Sequence, residues 1–204
     1  EASTAANFTG VLHSTSPAAR SASAAPLTAL DSNTTWYFRV ASVWVSTTKY
    51  AAAFSTPTLA AAVSGPAYRE VFLASATVTW LPLAAAPSST TAEGYVLEAS
   101  TTGFVGGATL SSTTRVVGLS TLTVAGLSVH ATYQFRLGPL NWGDARNYVH
   151  SADTATLPSP PGPGAPALSA VAVTSLTASW NSGSPANPAG TRYELRASST
   201  DFAA

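Results

Sequence analysis

Apolar and polar residues alternate along several stretches of this chain. Ala76, Val78 and Trp80 are separated by Thr77 and Thr79, and Leu176, Ala178 and Trp180 by Thr177 and Ser179. Trp36, Phe38 and Val40 alternate with Tyr37 and Arg39, and Tyr133, Phe135 and Leu137 with Gln134 and Arg136. Tyr95, Leu97 and Ala99 share one face while Glu98 takes the other; Glu194 and Arg196 take the outer face of a similar run. A period of two predicts strands with one buried and one wet face. The Ala-rich stretches 51–53 and 84–86 are short and sit beside Pro and Ser, so they do not read as helices. Many short strands with turn signals every ~8–12 residues point to a β-sandwich.

The pattern repeats. Residues 30–40 match residues 127–137 at an offset of 97, and Tyr95–Ser100 match Tyr193–Ser198 at 98. Thr58-Leu59 match Thr156-Leu157 at 98, Trp80 matches Trp180 at 100, and Phe104 matches Phe202 at 98. Glu1-Ala2-Ser3-Thr4 recurs as Glu98-Ala99-Ser100-Thr101, at 97. Such a period is too long for a solenoid turn and suits a small independent domain. The expected division is the back portion of one repeat over 1–64, a complete repeat over 65–157, and the front portion of another over 158–204. The run from Leu157 to Pro166 is rich in Pro and Gly and reads as a linker, while the joint at Ser64-Gly65-Pro66 is softer.

At these residues the chain resembles the fibronectin type III domain. Trp80 and Trp180 look like the family's core Trp in the second strand, and Tyr95 and Tyr193 like a Tyr opening the third. Gly126-Leu127 followed by Tyr133 and Phe135-Arg136-Leu137 resembles the family's tyrosine corner leading into the sixth strand. Asn141-Trp142-Gly143 looks like the turn that follows, and Thr154-Ala155-Thr156 would end the seventh strand. The resemblance implies an all-β chain of tandem immunoglobulin-like sandwiches, one complete and two partial. Trp36 stands where the corner Tyr would be. An indole N–H donates but cannot accept, so that corner is expected to differ. No Arg-Gly-Asp sequence occurs near the turn, so the resemblance implies no integrin-type activity.

Each partial repeat is expected to expose half a core, with Trp36, Phe38 and Val40 on one fragment and Trp180 and Tyr193 on the other. Two completions fit: further repeats of a longer tandem array, or strand donation between neighbouring protomers in a head-to-tail filament. The opening Glu1-Ala2-Ser3-Thr4 reads as the middle of a strand, which favours the array.

Composition narrows the function. Nine Lys and Arg balance nine Asp and Glu, and charged residues make up only 9% of the 204 positions. Nucleic-acid binding needs clustered cations, so this balance argues against it. There is no Cys, which removes disulfides and thiolate metal sites. No Gly-x-Ser-x-Gly elbow, no metal-ligand spacing and no phosphate loop occurs. His13, His130 and His150 lack an obvious acidic partner, so no catalytic triad, metal or cofactor is expected.

The remaining candidates are interaction residues. Trp44, Tyr50, Trp142 and Tyr148 fall at or near the turn after the sixth strand, where they can pack on their own domain, join the next one, or stack on a glycan. Asn7 and Asn33 fit the N-glycosylation pattern. The expectation is therefore a non-enzymatic structural module of a long extracellular or cell-surface fibre, stalk or adhesin, with neighbouring repeats or protomers as partners. The alternative is a spacer or accessory binding region of a secreted polysaccharide-degrading enzyme.

Overall fold

The computed structural model describes residues 1–19, 21–84 and 91–200. Ala85, Ala86 and Phe202, invoked above, lie outside them. The described residues form strands and turns only, in three groups along the chain. The first group is β1 (Ala2–Ser3), β2 (Leu12–His13), β3 (Thr35–Phe38), β4 (Ala41–Trp44), β5 (Thr47–Tyr50) and β6 (Phe54–Pro57). The second is β7 (Ser64–Val71), β8 (Ser75–Leu81), β9 (Tyr95–Ser100), β10 (Thr109–Thr114), β11 (Thr121–Ala125), β12 (Thr132–Pro139), β13 (Val149–His150) and β14 (Thr154–Ala155). The third is β15 (Pro163–Ser169) and β16 (Thr177–Trp180).

The second group makes a two-sheet sandwich. One sheet runs β11-β8-β7; the other runs β10-β9-β12-β13, with β14 also on β12. The predicted alternation places Ala76, Val78 and Trp80 from β8 against Tyr95, Leu97 and Phe135 from the facing sheet, all buried. Each large side chain in that layer contributes roughly 2–3 kcal/mol by burial. Trp80 meets the Tyr95 ring edge-on at 5.0 Å. The Tyr95 hydroxyl ties two loops to the core: it accepts from the Leu83 amide at 2.7 Å and donates to the Val117 carbonyl at 2.9 Å.

The first group is a single sheet, β2-β1-β3-β6, with β4 and β5 as a separate hairpin. Residues 24–28 correspond to β11 by the repeat offset, yet they form no strand. The reason is pairing. In the second group β11 is held by β8, and residues 1–64 contain no counterpart of β8. Two expectations change here. Trp36 is fully buried within this fragment, edge-on to His13 at 5.2 Å, whereas a half-open core was expected. Val40 is exposed rather than inward, because it lies beyond the end of β3.

The third group is one hairpin with a bulge between Pro163 and Leu168. The linker is therefore shorter than expected: strand begins at Pro163. Proline is tolerated because β15 pairs on one side only, so its missing N–H breaks no ladder. Residues 193–198 were expected as a strand and form none. Their equivalent, β9, is flanked by β10 and β12, and no described residue after 163 pairs with 193–198 as those strands do with β9. Trp180 and Tyr193 keep the partnership of Trp80 and Tyr95, with ring centroids 6.0 Å apart, but Trp180 is 43% exposed.

Candidate interaction site

The corner that precedes β12 is built from local chemistry. Ser128 donates its amide to the Tyr133 hydroxyl at 2.9 Å. Thr156 donates its hydroxyl to the Ser128 carbonyl at 2.6 Å and accepts from the Ala131 amide at 3.0 Å. His130 at the apex has φ +48° and donates its amide to the Leu157 carbonyl at 3.2 Å. The corner before β3 is nearly the same. Thr58 reaches the Asp31 carbonyl at 2.5 Å and accepts from the Thr34 amide at 3.1 Å, while Asn33 has φ +47° and donates to the Leu59 carbonyl at 3.0 Å. The exception is the ring: the Trp36 Nε1 is buried without a partner, as expected of a donor where the corner needs an acceptor.

Asn tolerates the left-handed backbone of an apex, and here its side chain does more. Asn33 is fully buried and joins the first group to the second. Its amide nitrogen donates to Glu93 Oε1 at 3.1 Å, and its amide oxygen accepts from the Trp142 backbone at 3.1 Å. Asn141 donates to the Thr58 carbonyl at 2.9 Å, and Asn147 to the Ala60 carbonyl at 3.0 Å. The Asn141 oxygen meanwhile accepts from the Gly143 and Ala145 amides at 2.9 and 2.8 Å, which shapes the turn after β12. Thus the corner of one unit seats the turn of the next. Each such bond contributes about 1 kcal/mol, and losing one partner of a buried group costs more.

A second boundary uses corresponding positions. His130 stands 97 residues after Asn33, and Thr191 stands 98 after Glu93. His130 Nδ1 and Thr191 Oγ1 are 2.7 Å apart. Beside them lies a cavity of about 400 Å³, with Ala74, Leu127 and Val129 on one side and Pro185, Ala186 and Pro188 on the other.

The outer sheet face carries another feature that recurs. Arg39 pairs with Glu1 at 2.7 Å and lies between the Phe8 and Tyr50 rings, 3.9 and 3.8 Å from their centroids. Arg136 pairs with Glu98 at 2.7 Å and lies between Phe104 and Tyr148, at 4.0 and 3.9 Å. Guanidinium stacking of this kind contributes roughly 0.5–1 kcal/mol where exposed. Bonding to Arg39 holds the Glu1 carboxyl below its ordinary value, with the Tyr50 hydroxyl assisting. Burial pushes the Tyr148 phenol up, and Glu98 adds to this.

The candidate residues therefore separate. Tyr50 and Tyr148 lie on arginines of their own units. Trp142 sits at the joint through its backbone, with its side chain half exposed. Trp44, at the tip of the β4–β5 hairpin, is 79% exposed. Asn7 is exposed and accepts from the Thr9 amide and hydroxyl. Asn33 is a correction: the joint encloses its amide, leaving no room for a glycan in the folded chain. Sequence reasoning missed Glu93, Asn141, Asn147 and both stacked arginines as contact residues. Among the described residues, no group of three or more His, Asp or Glu is placed to hold a metal.

Neither a family model nor a curated protein sequence matches this chain. Solved structures do. A segment of two fibronectin type III domains from chicken tenascin is similar over 64% of this chain and 69% of its own, with a TM-score of 0.43 and 16% identity. The fibronectin type III domain of human collagen alpha-1(XX) is similar over 52% of this chain and 93% of its own, with a TM-score of 0.40 and 20% identity. The fifth such domain of Drosophila Lar is similar over 47% of this chain and 94% of its own, with a TM-score of 0.36 and 18% identity. These superpositions are partial. The all-β architecture rests on the sheet order and the core described above.

Proposed function

We propose that this chain is a non-enzymatic structural module of a long, repetitive extracellular or cell-surface assembly, such as a fibre, stalk or adhesin. One observation carries the reading: the corner of one unit meets the next at corresponding positions twice, Asn33 with Glu93 and His130 with Thr191. A contact that recurs with the sequence period propagates along an array, and a heterologous contact that does not close builds an open chain of units. Fibronectin type III domains, which the chain resembles, are commonly structural or binding modules. The low charge leaves little repulsion against side-by-side association.

Neighbouring repeats complete the outer half-sandwiches in this reading. A charge reversal favours repeats of other sequence over strand donation by a second copy. Arg196 takes the position that Glu98 has in the second unit, where Arg136 lies directly opposite. In residues 1–64 Glu1 already pairs with Arg39 there, so a donated strand would have to displace Glu1 and set Arg196 against Arg39, which destabilises a cross-strand pair.

Electron microscopy of the native material tests the proposal. Filaments with an axial spacing of one or two sandwich lengths are expected. Short, monodisperse particles would refute it.

A further inference from the structure

The β4–β5 hairpin ends in an apolar tip that none of the described residues covers. Val43, Trp44 and Val45 are 68, 79 and 89% exposed. The equivalent turn of the second unit is the one seated on the first. Cross-strand pairs fix the correspondence. Val43 faces Thr48 and Trp44 faces Thr47, just as Leu140 faces Arg146 and the Asn141 amide bonds to Ala145. Trp44 therefore holds the place of Asn141, Val45 that of Trp142, and Lys49 that of Asn147.

The donor chemistry is kept although the residues differ. At the described joint, Asn141, Asn147 and the Trp142 amide all donate, and all of their acceptors are oxygens: the Thr58 and Ala60 carbonyls and the Asn33 side chain. Trp44 carries an indole N–H, Lys49 an ammonium, and Val45 its backbone N–H. The Asn141 oxygen also caps its turn, a task the shorter two-residue loop Val45-Ser46 does not require because Trp44 and Thr47 already pair. The tip thus retains the donors a seat of carbonyls needs and adds apolar area to bury against it.

We propose that the Val43-Trp44-Val45 tip, with Lys49, docks on another sandwich of this repeat type. The docked surface of the partner is its apex before the sixth strand and the end of its seventh, the surface that residues 33 and 57–60 present to Asn141, Trp142 and Asn147. The proposal rests on the array reading.

A longer chain tests it. Residues 1–97 are joined directly to residues 1–204, so that Leu97 is followed by Glu1-Ala2-Ser3-Thr4, the same residues that follow it in the natural order. This junction creates a hybrid sandwich whose tip faces the Asn33 corner ahead of it. Trp44 of the first copy is replaced by Phe, and hydroxyl-radical oxidation of the remaining Trp44 is followed by mass spectrometry. Oxidation several-fold slower than in the 204-residue chain is expected, and Val45→Asp with Lys49→Ser in the second copy should restore the fast rate. Fast oxidation of Trp44 with Trp80 still protected in the hybrid overturns the docking and leaves the array reading standing. Fast oxidation of Trp80 as well overturns the repeat equivalence, and both readings fall. Protection that appears in the 204-residue chain only as its concentration rises assigns the tip to a second copy and also overturns the proposal.

Discussion

Asn33 holds a left-handed backbone, closes a corner and joins two units with one side chain. Asn33→Gly keeps the backbone geometry and removes the amide. It is expected to cost about 1–3 kcal/mol, read as a lower urea midpoint, with Trp142 more open to oxidation. Asn33→Ala should cost more, since Ala also pays for the positive φ. Tyr133→Phe removes the acceptor of the Ser128 amide, and about 1 kcal/mol of loss is expected from the same unfolding curve. The corner itself was legible in the sequence because Tyr133 lies at a fixed step from Gly126-Leu127. The second role of Asn33 was not. An apex Asn is explained by its backbone alone, and nothing nearby in sequence points to Glu93, 60 residues away.

At the scale of elements, β8 and β12 keep the period-two alternation, whereas β9, paired on both sides, is buried on both faces, including the face expected to be wet. β8, β9 and β12 bury their inward faces as expected. The failure is at residues 193–198, whose pattern suits a strand but whose neighbours are missing among the described residues. A strand is a property of a pair, so alternation alone could not settle it. The stacked arginines were readable in principle, since Arg39 and Arg136 repeat at 97 and Tyr50 and Tyr148 at 98. Only the sheet shows that they touch. Glu98 is nearly buried beneath its arginine, so Arg136→Leu is expected to destabilise the second unit by roughly 3 kcal/mol. Arg39→Leu should cost less, because Glu1 is more open. The Glu1–Arg39 pair also carries a pH dependence. The folded carboxyl titrates below its ordinary value of 4.5, so its stabilising contribution is full above that pH and is lost as pH falls through the lowered value. Glu1→Gln should flatten the acid limb of the first unit's stability, followed through Trp36 fluorescence.

For the whole molecule, burial is uneven. The closed core lies between residues 63 and 137, while Trp180 on the β15–β16 hairpin and Tyr193 beyond it lie open. Residues 64–155 are therefore expected to protect their amides from exchange longest, and residues 163–200 least. Arg196 adds a prediction about association. Arg196→Glu would face Arg39 of another copy favourably, so sedimentation velocity should show more self-association than in the unaltered chain, increasingly so at low salt. Equal sedimentation would remove the electrostatic barrier invoked above.

The seat at Asn33 consists of a few hydrogen bonds at the ends of sheets, whereas each sandwich is held by whole ladders. When one joint is reused along a string of units, every unit is turned by the same amount, and the string coils. Pulled from its ends, such a coil would lengthen first by opening its joints, and slackening would let them re-form. It would act as a spring whose reversible travel is set by Asn33 and its counterparts, with the sandwiches in reserve against larger loads.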